Sequence, residues 1–239
     1  VRIDNEGKFL VMLFRNNYKT LGELSENEMR LAGLRINPKT NIGSRVRFFN
    51  NMKIKDIKNN KTFEVQGLPE NPKLANFQWS PDQTKMAFTH TNENGVALWI
   101  IDLMTKKANK ITKYNLNANM GAPFQWLKDS KTLITKVIPT SRKELINTAS
   151  TIPAGPTISV NDGKKAQNRT YQDLLKNKYD EHNFEQLALA ELHMTDVSGN
   201  NKLWKKADIY RGISFSPDGT YVLVTTVQKP FSYLVPYYK

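Results

Sequence analysis

Phe77-Gln78-Trp79-Ser80-Pro81-Asp82-Gln83-Thr84-Lys85-Met86-Ala87-Phe88 returns later in the chain as Ile213-Ser214-Phe215-Ser216-Pro217-Asp218-Gly219-Thr220-Tyr221-Val222-Leu223-Val224. Each copy runs from an aromatic strand end, through a Ser-Pro-Asp-x turn, into a second apolar strand. Proline at the second turn position presets φ, and Asp and Gly after it tolerate a tight bend, so each copy predicts a hairpin. A degenerate third copy is Phe124-Gln125-Trp126-Leu127-Lys128-Asp129-Ser130-Lys131-Thr132-Leu133-Ile134, and a weaker fourth opens the chain at Val1 to Val11. Hairpins recurring at roughly forty residues have the period of a radial repeat of four-stranded blades.

The fold class this predicts is all-β: a partial β-propeller of about three and a half four-stranded blades, with short helices in two insertions. The blades fall at about 1–67, 73–112, 122–207 and 209–239, the last one incomplete, and the insertions at about 15–45 and 139–184. In the first insertion Ser25-Glu26-Asn27-Glu28 matches a capping box and predicts a helix from Glu26 to Ala32. Beyond it, Val46 to Ile54 reads as a strand. In the second blade, Asn94-Gly95 between two apolar runs predicts a hairpin turn. The second insertion first carries Pro153, Gly155 and Pro156, and then Tyr171, Leu174, Leu175 and Tyr179 at helical spacing; Leu187 to Leu192 follows as a strand. Long excursions in a compact domain tend to carry function. About half a blade follows the last turn, so the chain is expected not to close a ring alone and to leave an open blade edge prone to self-association. An opening in mid-strand at Val1 predicts a piece of a longer protein, which leaves the lack of a leader uninformative.

The formal net charge of +13 across 239 residues asks for an explanation. Lysines such as Lys53, Lys55, Lys58 and Lys61 are scattered, which fits a solvated basic surface, although an anionic polymer as partner stays open. The absence of cysteine excludes disulfides, thiolate metal sites and a Cys nucleophile. No apolar run approaches the eighteen or so residues of a membrane span.

A search for chemistry returns little. Gly212-Ile213-Ser214-Phe215-Ser216 lacks the second glycine of a nucleophile elbow and lies inside a repeat strand, so Ser214 reads as structural. His90, His182 and His193 show no metal-ligand spacing, and His193 reads as a rim residue. Asp180 and Glu181 are adjacent and fit a solvated helix end. In Arg45-Val46-Arg47-Phe48-Phe49, the arginines share one strand face and Val46 and Phe48 the other, so this is half-buried alternation and not a nucleic-acid module. No catalytic residue, cofactor, metal or nucleic-acid partner is assigned.

Glu28-Met29-Arg30-Leu31-Ala32-Gly33-Leu34-Arg35-Ile36 with Ser44 to Phe49 resembles the first block of the glutamyl endopeptidases, chloroplast and bacterial serine peptidases of the prolyl oligopeptidase clan. Ile138 to Arg142, Pro153 to Pro156 and Arg169 to Asp180 are similar to that family's blade-three insertion, and Lys229-Pro230-Phe231-Ser232-Tyr233-Leu234-Val235-Pro236 is similar to a later segment. The resemblance implies an N-terminal propeller over a C-terminal α/β-hydrolase domain with a Ser-Asp-His triad, cleavage after glutamate, and a propeller that limits access to the site. The hydrolase part is absent from this sequence, so the chain itself is expected to be inactive. The implied partners are peptides with acidic side chains and that hydrolase domain. The implied location is bacterial periplasmic or secreted, or alternatively plastid-type. A glutamate side chain needs a cationic or hydrogen-bonding partner, which makes Arg35, Arg45, Arg47, Lys229 and Tyr233 the substrate-binding candidates. Against this, Arg35 could simply pair with an acidic neighbour such as Glu28 and anchor its loop. The alternative function is a stand-alone propeller-like binding or scaffold module.

Overall fold

The computed structural model describes residues 1–147, 163 and 170–238. The first sheet begins with β1 (Arg2–Ile3) and β2 (Phe9–Phe14). The chain then leaves the sheet through a one-turn helix α1 (Leu21–Leu24) and three short strands, β3 (Met29–Leu31), β4 (Leu34–Asn37) and β5 (Ile42–Gly43), which pair in that order as a small sheet of their own. It returns as β6 (Asn51–Asp56) and β7 (Lys61–Glu64) to complete the order β1-β2-β6-β7. The second sheet follows without interruption as β8 (Leu74–Trp79), β9 (Lys85–Asn92), β10 (Gly95–Asp102) and β11 (Lys107–Lys110), each strand beside the next. The third opens with β12 (Phe124–Trp126) and β13 (Thr132–Val137); after helix α2 (Lys178–Ala188) it closes with β14 (Ala190–Asp196) and β15 (Asn201–Asp208). A fourth sheet pairs β16 (Tyr210–Phe215) with β17 (Val222–Thr226). Every strand pairing within these four sheets is antiparallel.

Four turns join the first two strands of the four sheets, and they share one geometry. In the second sheet the Ser80 amide donates to the Lys85 carbonyl at 2.9 Å, and the Ser80 hydroxyl accepts from the Lys85 amide at 2.9 Å. Asp82 then takes the Thr84 amide at 3.1 Å. Ser216, Tyr221, Asp218 and Thr220 reproduce these bonds in the fourth sheet. In the first, Asp4 stands in for the serine and accepts from the Phe9 amide at 3.0 Å. In the third, Leu127 supplies the backbone bond alone. The residue closing each bend is left-handed: Gly7 at φ 68°, Gln83 at 58°, Ser130 at 54° and Gly219 at 77°. Two copies therefore place a side chain where glycine is favoured. In both, that side chain holds the preceding turn: Gln83 Oε1 accepts from the Asn5 amide at 3.2 Å, and Ser130 Oγ from the Asp82 amide at 3.0 Å. Between the third and fourth turns the direction reverses, and Lys128 reaches forward to the Pro217 carbonyl.

The core is built between successive sheets. Val11, Met52 and Ile54 of the first pack on Leu74, Phe77, Phe88 and Trp99 of the second. The second turns its other face, with Ala87, Val96, Leu98 and Ile100, to Phe124, Trp126, Leu133 and Val137 of the third. Ile134, Ala190 and Leu192 of the third then meet Tyr210, Ile213, Val222 and Val224 of the fourth. A sheet buried on both faces reads as a continuous apolar run, as Val96 to Ile101 does. Such serial stacking of antiparallel four-stranded sheets is the arrangement of propeller blades.

The insertions depart from expectation. Met29 to Leu31 is a strand, so no helix spans Glu26 to Ala32; Ser25 is the C-cap of α1, whose capping box is Thr20 with Glu23. Val46 to Phe48 lies outside any strand, and Phe49 makes only a single bridge with Leu74. Arg45 and Arg47 are nonetheless exposed and Val46 and Phe48 half-buried. The second helix starts at Lys178 with Asn177 as N-cap, so Tyr171, Leu174 and Leu175 precede it, and it runs on to Ala188 where a strand was expected. Pro153, Gly155 and Pro156 lie outside the described residues. In the β9–β10 hairpin the loop is Glu93-Asn94, and Gly95 pairs with Asn92. Its glycine serves a different need, because a Cβ there would stand 2.6 Å from the Tyr114 carbonyl oxygen.

A two-lobed cleft at the first insertion

Three interruptions of the repeat close on one another. Leu31, Ala32 and Ile36 from the first insertion share a buried cluster with Leu175, Phe184 and Leu187 from the second. Phe231, Tyr233 and Tyr237 from the segment after β17 cover it. The Tyr237 amide donates to the Ala32 carbonyl at 3.0 Å, and the Gly33 amide to the Asp173 carbonyl at 2.8 Å. The insertions thus form a second packed unit beside the sheets.

Arg35 is consumed by that unit. Its Nε lies 2.6 Å from Asp173 Oδ2, across two insertions, and its Nη1 lies 3.7 Å from Glu28. Glu28 also accepts from the Ser44 hydroxyl and from Arg30 Nε at 2.8 Å. Burial pushes the Glu28 carboxyl up, yet the Ser44 hydroxyl and the two guanidinium groups together hold it below the usual carboxylate range. Arg35 is therefore an anchor. Glu28, its neighbour in sequence, is the more distant partner, and the shorter bond goes to Asp173. Lys229 and Tyr233 lie together on a different face, against α2: Lys229 Nζ is 2.8 Å from Glu185, and the Tyr233 hydroxyl donates to Glu181 at 2.9 Å. The hydrogen bond from Lys178, aided by that from Tyr233, keeps Glu181 below its ordinary value.

Arg45 and Arg47 differ. Both are exposed, neither has a carboxylate partner among the described residues, and both line a cleft of about 850 Å³. Arg15 joins them there, its guanidinium 5.6 Å from the centre of the Phe49 ring. The structure therefore brings together two of the five candidates, leaves the other three elsewhere, and adds Arg15. Chain order offered no sign of that arginine, because β2 delivers it across the insertion.

A second lobe, of about 720 Å³, continues the cleft toward the β9–β10 hairpin. The lobes share Lys19, Glu23, Glu26, Ser44, Phe48 and Lys73. These shared charges are already engaged: Lys19 donates to the Ser44 carbonyl at 2.6 Å, Lys73 pairs with Glu26 at 3.2 Å, and Glu23 holds the Thr20 cap. The second lobe adds Lys39, Glu70 and Glu93, none ion-paired among the described residues, and the buried side chains of Thr40, His90 and Thr91. His90 Nδ1 is 2.8 Å from the Tyr114 hydroxyl, and burial holds its imidazole below the ordinary value.

No family model matches the chain. It is 32% identical over 241 residues to the rice (Oryza sativa subsp. japonica) protein named "Probable glutamyl endopeptidase, chloroplastic", covering 95% of this chain and 25% of that one. The Arabidopsis thaliana protein of the same name is 31% identical over 240 residues with the same coverage. The chain is thus a homologue of proteins named glutamyl endopeptidase along nearly all its length, and it spans about a quarter of theirs. Among solved structures, uncomplexed Pyrococcus horikoshii acylaminoacyl peptidase aligns with 89% of this chain and 29% of its own at 17% identity and a TM-score of 0.41. A putative TolB from Agrobacterium tumefaciens aligns with 75% of this chain and 52% of its own at 12% identity and a TM-score of 0.37.

Proposed function

We propose that this homologue of glutamyl endopeptidases is the substrate-gating propeller part of a serine peptidase of prolyl oligopeptidase type, selective for acidic side chains and without peptidase activity of its own. The observation that carries the reading is the pair of guanidinium groups, Arg45 and Arg47, without a carboxylate partner among the described residues and on an open cleft with Arg15 beside them. A guanidinium offers a carboxylate two parallel N–H donors in a fixed plane, which selects acidic over amide side chains. The histidines support inactivity. His90 is bonded to Tyr114, His182 to the Glu144 carbonyl, and His193 sits between Glu191 and Asn201. Among the described residues none of them meets a serine hydroxyl, as a general base for acyl transfer must. Chemistry would come from a hydrolase part of the same protein, acting on peptides that the cleft admits. Both relatives are named chloroplastic, which supports a plastid-type setting; a bacterial periplasmic or secreted one rests on the family resemblance alone.

Fluorescence anisotropy of the 239-residue chain with a labelled peptide carrying one central glutamate, against its glutamine counterpart, tests this. The glutamate peptide should bind roughly three- to tenfold tighter at low salt. An Arg45→Ala/Arg47→Ala variant should lose that difference. Equal affinity for the two peptides in the parent chain would sink the reading.

A further inference from the structure

The first insertion leaves large apolar side chains in solvent. Tyr18 is 88% exposed, Leu21 85% and Leu24 66%, all within one short stretch of chain. Leu21 and Leu24 stand three apart on α1 and so share a face of it. That helix is a single turn that buries no residue, and the Thr20–Glu23 capping box holds it in place of packing. Apolar side chains scattered singly over a surface are ordinary, whereas a group of them on an element that buries nothing marks a surface for a partner. Position says which partner. Tyr18 and Leu24 line the lobe of about 850 Å³ that holds Arg15, Arg45 and Arg47, and the half-buried Phe48 lines it with them. Other charges in the lobe are matched: Lys73 with Glu26, Arg30 with Glu28, Lys19 with the Ser44 carbonyl, and Glu23 with the Thr20 cap. Three guanidinium groups without a carboxylate partner among the described residues thus share one lobe with an apolar wall. A cavity of this size suits a few residues of peptide better than a folded surface, and its charge calls for an acidic one.

We propose that this lobe selects peptides in which a large apolar side chain flanks the acidic one. The apolar group rests against Tyr18, Leu24 and Phe48 while the carboxylate meets the arginines. The carboxylate contact rests on the acidic-peptide reading above, and the apolar wall adds a second determinant of which acidic positions are chosen. Burying an apolar flank there removes both its own surface and that of the wall from water. A glutamate between small polar residues covers none of the wall and is a poor ligand.

Four peptides of equal length titrated into the 239-residue chain decide it: the central residue is glutamate or glutamine, and its flanks are leucine or serine. Leucine flanks should tighten binding roughly three- to tenfold, with either central residue. That gain should persist as salt is raised, while the preference for glutamate shrinks. A Tyr18→Ser/Leu24→Ser variant should bind leucine- and serine-flanked peptides alike and keep its preference for glutamate. Both side chains are exposed and α1 buries nothing, so the variant keeps its fold. Leu203→Ser, at an exposed leucine of β15 that does not line the cleft, should leave the leucine gain intact. Equal binding of leucine- and serine-flanked peptides by the parent chain overturns the proposal, as does a leucine gain that survives the double variant or disappears in Leu203→Ser. A glutamate preference without a leucine gain leaves the proposed function standing and removes this inference. A leucine gain without a glutamate preference keeps the apolar wall and removes the acidic reading. No binding of any of the four removes both. A light-scattering mass above the monomer that the double variant alone returns to the monomer value assigns the wall to a second copy of the chain and overturns the peptide site.

Discussion

Lys136 carries its amine into the interior, where only 2% of the residue is exposed. Nζ donates to the Met120 carbonyl at 2.8 Å and to the Tyr210 carbonyl at 2.9 Å, joining the approach to β12 with the first strand of the fourth sheet. No carboxylate among the described residues pairs with it, and burial pushes the group down to about 8. Its unfolded value is near 10.4, so between about pH 8 and 10.4 the unfolded chain holds a proton that the folded one has released. Stability contributed here therefore rises with pH across that window, by about 3 kcal/mol in total, and is flat below it. Chemical denaturation at pH 7.5 and 10 should show this as a difference between the parent and Lys136→Met; parallel pH dependences would refute it. Arg35 makes a separate case. Replacing it by Ala should lower the melting temperature by a few degrees yet leave discrimination between glutamate and glutamine peptides unchanged, because its guanidinium is spent on Asp173. Loss of discrimination at unchanged stability would return Arg35 to the binding site. Arg45 and Arg47 were legible in sequence because they alternate with apolar residues, which marks them as outward. Arg15, Glu70 and Glu93 were not, because each reaches the cleft from a different element and no local pattern records their meeting.

Hairpins were legible and short elements were not. A Ser-Pro-Asp turn fixes its own backbone through bonds over a few residues, so its geometry follows from the local sequence. Strands β3, β4 and β5 are two to four residues long, too short for any alternation to register. Strands β3 and β4 pack on α2 and on the segment after β17, whereas Ile42 of β5 packs into the cluster between the second and third sheets. The capping box was right in kind and misplaced: Thr20-x-x-Glu23 forms it, while the matching Ser25-x-x-Glu28 sends Glu28 to Arg30 and Ser44 instead. Two glycines separate turn chemistry from packing. Gly219→Ala places a Cβ at φ 77° against the flexible Lys128 chain, and should cost about 1 kcal/mol. Gly95→Ala drives a Cβ to 2.6 Å from the Tyr114 carbonyl oxygen, which cannot move without shifting the backbone of the connection between β11 and β12. It should cost about 2–3 kcal/mol. Equal losses in urea unfolding would show that the Tyr114 segment yields freely.

Across the whole molecule, burial falls away toward the fourth sheet. Every residue of β10 except Asp102 is buried, whereas β17 has none buried. In the first three sheets the second strand lies between two neighbours, as β9 does between β8 and β10. Among the described residues β17 pairs with β16 alone. Its free edge presents Tyr221 at 73% and Leu223 at 67% exposure, an apolar margin beside unpaired backbone donors and acceptors. Such an edge is a template for another strand, and the net charge of +13 opposes approach only where salt is low. The 239-residue chain should therefore associate through this edge as concentration and salt rise, its light-scattering mass growing above 27.4 kDa. Leu223 faces away from the core that Val222 and Val224 join, so Leu223→Lys should restore a monomer with little loss of stability. Hydrogen exchange locates the contact: in the associated form β17 amides should slow while those of β10, already protected, do not change. A mass that stays at the monomer value at high salt, or association that persists unchanged in Leu223→Lys, would show that the margin of the fourth sheet is not where copies of this chain meet.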